Sequence, residues 1–138
     1  MKIIDKIEIK HFRSFMGSTK DYEAIIYDIK DLNIFSGAND SGKSNVLRAL
    51  NLFFNDEISS NNRFNFERDF FIGKQNKTQK IIEISITFIL DKKDSQDFLP
   101  EKFKISKIYN RDGYRNHLFI FQLKNKPGKE IRIDSRAE

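Results

Sequence analysis

The chain opens on alternating apolar and polar positions. In residues 2–10 (Lys-Ile-Ile-Asp-Lys-Ile-Glu-Ile-Lys), Ile3, Ile7 and Ile9 fall on one side at a period of two, which predicts a half-buried strand. Residues 22–29 (Tyr-Glu-Ala-Ile-Ile-Tyr-Asp-Ile) predict a second strand, and the connection holding Gly17 makes an antiparallel pair the expectation. Residues 31–36 (Asp-Leu-Asn-Ile-Phe-Ser) predict a short strand running straight into Gly37. Over 43–54 the period changes: Val46, Leu47, Leu50, Phe53 and Phe54 recur at helical spacing, giving one apolar stripe. Asn55-Asp56 and Ser59-Ser60-Asn61-Asn62 break that pattern, and residues 55–79 read as a polar loop with scattered Phe. Residues 81–90 are the cleanest strand, with Ile82, Ile84, Ile86, Phe88 and Leu90 on one face and Glu83, Ser85 and Thr87 on the other. Residues 102–109 and 114–124 then flank Asn110-Arg111-Asp112-Gly113, whose Asp-Gly is a strong hairpin signal. Pro127-Gly128 makes a further turn before Glu130-Ile131-Arg132-Ile133-Asp134 alternates again. The second half therefore predicts an antiparallel meander.

One motif carries chemistry. Gly37-Ala38-Asn39-Asp40-Ser41-Gly42-Lys43-Ser44 matches G-x-x-x-x-G-K-[ST], between an apolar extended segment and an amphipathic helix. Gly37 and Gly42 permit backbone angles that side chains forbid, so the main chain can close on an anion. The N–H groups of such a loop point inward as a nest, and the helix N-terminus adds its unpaired amides and positive dipole end. Lys43 is placed to reach β- and γ-phosphates, and the Ser44 hydroxyl to ligate Mg²⁺.

Two flanking stretches sharpen the reading. Ile7-Glu8-Ile9-Lys10-His11-Phe12-Arg13-Ser14-Phe15 precedes the motif and Asn45-Val46-Leu47-Arg48-Ala49-Leu50 follows it. Together they resemble the N-terminal head of SMC/RecF-type ABC ATPases, which opens "I-x-I-x-N-F-R-S-F" and continues "G-x-N-G-S-G-K-S-N-[IVL]-x-x-A-[IL]". His11 stands where that pattern has Asn, and Asp40 where it has Gly. A narrower resemblance is to the OLD (overcoming lysogenization defect) ATPases, the group that includes the ATPase subunits of the Gabija, Septu and PARIS anti-phage systems. It is carried by Asn39–Asn45, by Phe66-Glu67-Arg68-Asp69-Phe70 and by Lys80–Phe88, and covers roughly residues 1–90. The resemblance implies an α/β fold, the N-terminal portion of a P-loop NTPase head of ABC type, joined to an antiparallel β meander. It implies ATP and Mg²⁺ as cofactors, with Gly37, Asn39, Asp40, Ser41, Gly42, Lys43, Ser44 and Asn45 at the nucleotide and Ser44 at the metal. Because the F-R-S segment lies against nucleotide in such heads, Arg13 and Ser14 join the expected site; the bland alternative for Arg13 is a solvated arginine at a strand end.

The hydrolytic half of such a site is not visible. No strand ends in the Asp-Glu of a Walker B motif. Ile84–Leu90 followed by Asp91 is a poor imitation, because its strict alternation suits a half-solvated antiparallel strand and Lys92 stands where the catalytic Glu belongs. His117 lies inside an apolar strand and reads as a strand residue rather than a switch histidine. No catalytic residue is therefore assigned. The expectation is a partial head over 1–138: strands, P-loop and first helix in 1–55, loop and antiparallel strands in 56–138. The remainder of the fold would come from later polypeptide or another chain.

Composition narrows the class further. The 138 residues fit a single domain, and 14 Phe rule out a disordered chain. With no Cys and two His there is no disulfide framework, zinc ribbon or thiol nucleophile. No apolar run reaches membrane-spanning length and the N-terminus is no signal peptide, so the expected location is the cytoplasm, without a membrane partner. The net charge of +5 falls entirely within residues 101–138. That end reads either as a solvated hairpin or, through Lys124, Lys126, Lys129, Arg132 and Arg136, as a DNA-facing or oligomer-facing surface. Phe53, Phe54, Phe119 and Phe121 are expected in the core; Phe64, Phe66, Phe70 and Phe71, beside Arg63 and Arg68, either anchor a loop or line a partner surface. The function expected is an ATP-binding head that self-associates on nucleotide and gates a DNA-directed, anti-phage activity, such as an effector nuclease. The alternatives are a DNA-repair head of SMC/RecF type and a non-hydrolysing, nucleotide-sensing interaction module.

Overall fold

A computed structural model describes residues 3–15, 24–37, 42–71, 80–90 and 101–112, together with the backbone of two strands at 115–122 and 130–136. Its elements are β1 (Ile4–Lys10), β2 (Ala24–Tyr27), α1 (Lys43–Asn55), β3 (Glu57–Ser59), β4 (Asn62–Arg63), the single turn α2 (Phe66–Asp69), β5 (Ile82–Ile89), β6 (Lys102–Tyr109), β7 (Arg115–Gln122) and β8 (Glu130–Arg136). Six strands form one sheet in the order β2-β1-β5-β6-β7-β8, and every pairing is antiparallel. The expected β1–β2 pair and the meander from β5 to β8 are both present.

The core lies between one face of this sheet and α1. Ile7 and Ile9 of β1, Ile82, Ile84 and Ile86 of β5 and Tyr109 of β6 are buried against Val46, Ala49, Leu52 and Phe53 of the helix. Each buried Ile, Val, Leu or Phe among them contributes about 1.5–3 kcal/mol by leaving water. The Tyr109 hydroxyl donates to the Leu52 carbonyl at 3.3 Å, and Lys107 Nζ sits 5.3 Å above the Phe53 ring, which ties β6 to the helix.

Four expectations need correction. First, Ile3 does not share the inner face with Ile7 and Ile9. The ladder shifts register between Ile4 and Lys6, so Ile4 packs on the core while Ile3 is 51% exposed. Second, residues 31–36 form no strand. Among the described residues no strand pairs with them, and Asn33 instead folds back on Lys30, accepting from its amide at 3.0 Å and donating to its carbonyl at 2.6 Å. Leu32 and Ile34 stand 78% and 83% exposed. Third, the stripe of α1 is rotated: Ala49 and Leu52 are buried, whereas Leu47 and Phe54 are exposed. Fourth, residues 55–79 are not all loop, for they contain the β3–β4 hairpin and α2. Ile58, Phe66 and Phe70 from this stretch are core residues, and Phe66 stacks on Phe70 with centroids 5.0 Å apart. Phe66 and Phe70 therefore anchor the loop.

The other sheet face is polar and well paired. Ser85 and Ser106 are buried there with their hydroxyl oxygens 2.6 Å apart. Glu8 Oε2 lies 2.9 Å from Lys104 Nζ and 3.3 Å from Lys6 Nζ, in contacts set by distance and charge more than by hydrogen-bond alignment. Burial pushes the Glu8 carboxyl upward, but Lys104 and Lys6 more than offset it, so it titrates below its ordinary range. Among the described residues no helix is long and apolar enough to cross a membrane.

Candidate nucleotide-binding site

The start of α1 carries no side-chain cap. Gly42 caps the helix in a left-handed conformation (φ 90°, ψ 1°), and its first turn contains no acid. Asn45 and Val46 donate to the Gly42 carbonyl, so the amides of Lys43 and Ser44 precede the first intrahelical bond. Such an end presents the positive pole of the helix dipole and its first backbone amides. Lys43 Nζ donates to the Gly37 carbonyl, closing the two ends of the glycine loop on each other. Ser44 is exposed at the second helical position. Asn39, Asp40 and Ser41 lie outside the described residues.

A second segment braces this end. After β1 the chain turns sharply through His11–Phe15, with His11 at φ 58° and Arg13 at φ 50°. A side chain in that region costs about 1–2 kcal/mol, so other contacts must hold it. They are numerous. The Arg13 amide donates to the Asp69 carbonyl (2.7 Å), the Phe71 amide to the His11 carbonyl (2.9 Å), and the Phe15 amide to the Phe12 carbonyl (2.9 Å). His11 Nδ1 donates to the Ile81 carbonyl at 2.9 Å, and Phe12 is fully buried. Asn, Asp and His are the side chains most often found in left-handed backbone, so His11 serves where the resembled heads carry Asn.

The turn delivers Ser14 and Phe15 to the helix start. Asn45 Nδ2 donates to Ser14 Oγ at 2.9 Å, and Arg48 donates to Asn45 Oδ1 at 3.1 Å. A Cβ placed on Gly42 would come within 3.0 Å of two Phe15 ring carbons and 3.2 Å of Ser14 Oγ. Gly42 is thus required twice, by its backbone angle and by the crowding of the turn. The structure brings Gly37, Gly42, Lys43, Asn45 and Ser14 together at the start of α1.

Arg13 is not a solvated strand-end arginine. Its Nε donates to Asp69 Oδ1 at 3.0 Å and a terminal nitrogen lies 2.7 Å from the same oxygen. Asp69 is fully buried and takes three further donors: Arg68 Nε and a terminal nitrogen (3.0 and 2.9 Å) and the Asn65 amide (2.9 Å). Hydrogen bonding to Asp69 raises the Arg68 guanidinium above its ordinary value, so it stays charged. Asp69 carries no assigned role in the sequence reading. Its signal was Asn65, which caps α2 by accepting from the Arg68 amide at 3.1 Å, ahead of Glu67 and Asp69 in the turn.

The donor set suits a phosphate: amides at a helix end, a lysine within reach and a glycine where a Cβ would intrude. Ser44 supplies one hard oxygen, which suits Mg²⁺ only with oxygens from a bound phosphate and water. Among the described residues no group of three or more His, Cys, Asp or Glu is placed to hold a metal alone.

Comparison with known proteins bears on the family and the fold. A sequence-family profile described as an AAA ATPase domain matches residues 1–134. An uncharacterized protein of Methanocaldococcus jannaschii, MJECL44, is 40% identical over 74 residues, which are 54% of this chain and 20% of that protein. The matched stretch is thus a fifth of that relative's length. A solved structure described under "Structural biochemistry of ATP-driven dimerization and DNA stimulated activation of SMC ATPases" superposes with a TM-score of 0.65 at 23% identity, covering 89% of this chain and 72% of that one. The two chains share a fold.

Proposed function

The chain belongs to the AAA ATPase domain family, and from that premise we propose that residues 37–45 bind ATP with Mg²⁺ and that nucleotide brings two such heads together to gate a DNA-directed activity. The observation that carries the reading is the uncapped start of α1, with Gly42, Lys43 and Ser44 braced by Ser14 and Phe15. In the bound state the amides at Lys43 and Ser44 hold phosphate oxygens, and Lys43 exchanges the Gly37 carbonyl for a phosphate. Ser44 holds the metal, which neutralises phosphate charge when bound. Asn39, Asp40, Ser41 and Asn45 complete the cradle, and Arg13 and Ser14 approach it from the turn after β1. Head association and a link to DNA are supported by the solved SMC ATPase, described in terms of ATP-driven dimerization and DNA stimulation.

Lys43→Ala in the full-length protein should abolish ATP binding, as read by nucleotide titration; retained micromolar affinity would overturn the reading. Two settings for the gated activity share this site. In an OLD-like protein, an acidic Toprim-like cluster downstream would supply an effector nuclease for anti-phage defence. In an SMC/RecF-type repair protein, a long coiled-coil insertion would take that place. A non-hydrolysing sensor module is the third reading, and measured ATP turnover by the complete protein excludes it.

A further inference from the structure

We propose that Asp69 is a positioning residue of the nucleotide site, acting through Arg13 to fix Ser14 and Phe15 against the start of α1. The inference rests on the ATP-binding reading above and adds a residue to it that makes no contact with nucleotide.

Asp69 sits in α2, well away in sequence from the glycine loop, yet it is the fixed point of the turn that braces the loop. It binds Arg13 twice over: its carbonyl accepts the Arg13 amide at 2.7 Å, and its carboxylate takes the Arg13 guanidinium at 2.7 and 3.0 Å. Main chain and side chain of one left-handed residue are thereby held by one partner. Ser14 follows directly and meets Asn45 at 2.9 Å, and Phe15 follows it and fills the space a Cβ on Gly42 would need. A fully buried carboxylate is costly unless every lone pair is used. Here Arg68 and the Asn65 amide complete the set, and Arg68 also reaches Asn62 Oδ1 (2.7 Å) and the Arg63 carbonyl (2.8 Å) on β4. Arg68 thus joins Asp69 to the hairpin, whereas among the described residues Arg13 joins it to the turn that braces the start of α1. Loss of the carboxylate leaves the strained backbone at Arg13 held by its amide alone, and the turn is free to relax away from Asn45.

The test is ATP affinity of the full-length protein, measured by titration for Asp69→Asn, Arg13→Ala, their double variant and Arg68→Ala, with folding checked by circular dichroism. Asp69→Asn should weaken ATP about tenfold, on the low side of what an ångström of displacement costs a site. The double variant should bind no worse than the weaker single one, because both act along one route. Arg68→Ala removes the hairpin partner and should stay within about twofold of wild type. Folded Asp69→Asn with wild-type affinity, additive losses in the double variant, or an equal loss in Arg68→Ala would each overturn the proposal. If Asp69→Asn does not fold, Arg13→Lys decides: it keeps the charge but gives up the paired contact. A tenfold loss is then expected, and unchanged affinity refutes. Should the wild-type protein bind no ATP, both readings fall; should Lys43→Ala abolish binding while Asp69→Asn leaves it intact, this one falls alone.

Discussion

Replacing Gly42 by Ala tests the packing of the site apart from any ligand. Gly42 has φ 90°, where an L side chain costs about 1–2 kcal/mol. The new Cβ would also lie 3.0 Å from Phe15 Cε1 and Cζ and 3.2 Å from Ser14 Oγ. Overpacking of that kind costs about 1–3 kcal/mol. The two together make roughly 2–5 kcal/mol, a large part of the ~5–15 kcal/mol that stabilises a domain. Thermal unfolding without nucleotide should fall by about 8–20 °C, at roughly 4 °C per kcal/mol for a chain of this size. The two causes separate in a cycle with Phe15→Ala: removing the ring should relieve the steric share, so the losses are less than additive, and the backbone share should persist. A Gly42→Ala protein melting within 2 °C of wild type would refute both parts of the argument.

Other outcomes follow from the polar sheet face. The Glu8 carboxyl titrates below its ordinary range of about 4.3, so its contribution is present above that pH and is lost as pH falls through its lowered folded-state value. Glu8→Gln should be less stable at neutral pH and show a shallower loss of stability below about pH 4, read by denaturant titration across pH; an unchanged acid limb would contradict the assignment. Ser85 and Ser106 share a buried 2.6 Å contact. Ser85→Ala should cost about 1–3 kcal/mol by orphaning the Ser106 hydroxyl, Ser106→Ala should cost less because Ser85 keeps its 3.2 Å bond to Glu83, and the double variant should cost less than the sum of the two singles in urea unfolding.

How much of this was legible depended on whether the signal was local. The β5 alternation, the Asp-Gly between β6 and β7 and the helical period of α1 are written in neighbouring residues, and β5, β6, β7 and α1 are where the pattern put them. The bulge near Asp5 is not, because its cause is the register against β5 across the sheet. Residues 31–36 have strand composition, but a strand also needs a partner, which composition does not supply. In α1 the apolar positions run round more than one side, so periodicity alone cannot choose between Leu47 and Ala49 for the face toward the sheet. The Arg13–Asp69 pair spans 56 residues and had no pattern to betray it, although Arg13 itself was singled out by its neighbours Phe12 and Ser14.

The place of β1 between β2 and β5 has a kinetic consequence. β5 to β8 are joined by hairpin-type connections and can pair in sequence, but β1 must find β5 across a wide gap, as the bond from His11 to the Ile81 carbonyl, 70 residues apart, makes plain. Closing so long a loop is slow to be rewarded and costs entropy before it returns contacts. The turn at His11–Phe15 is fixed only once that closure is made, so the brace it lends to the start of α1 is among the last parts of the chain to form. Substitutions within the meander should then slow folding, whereas those at the turn should chiefly hasten unfolding.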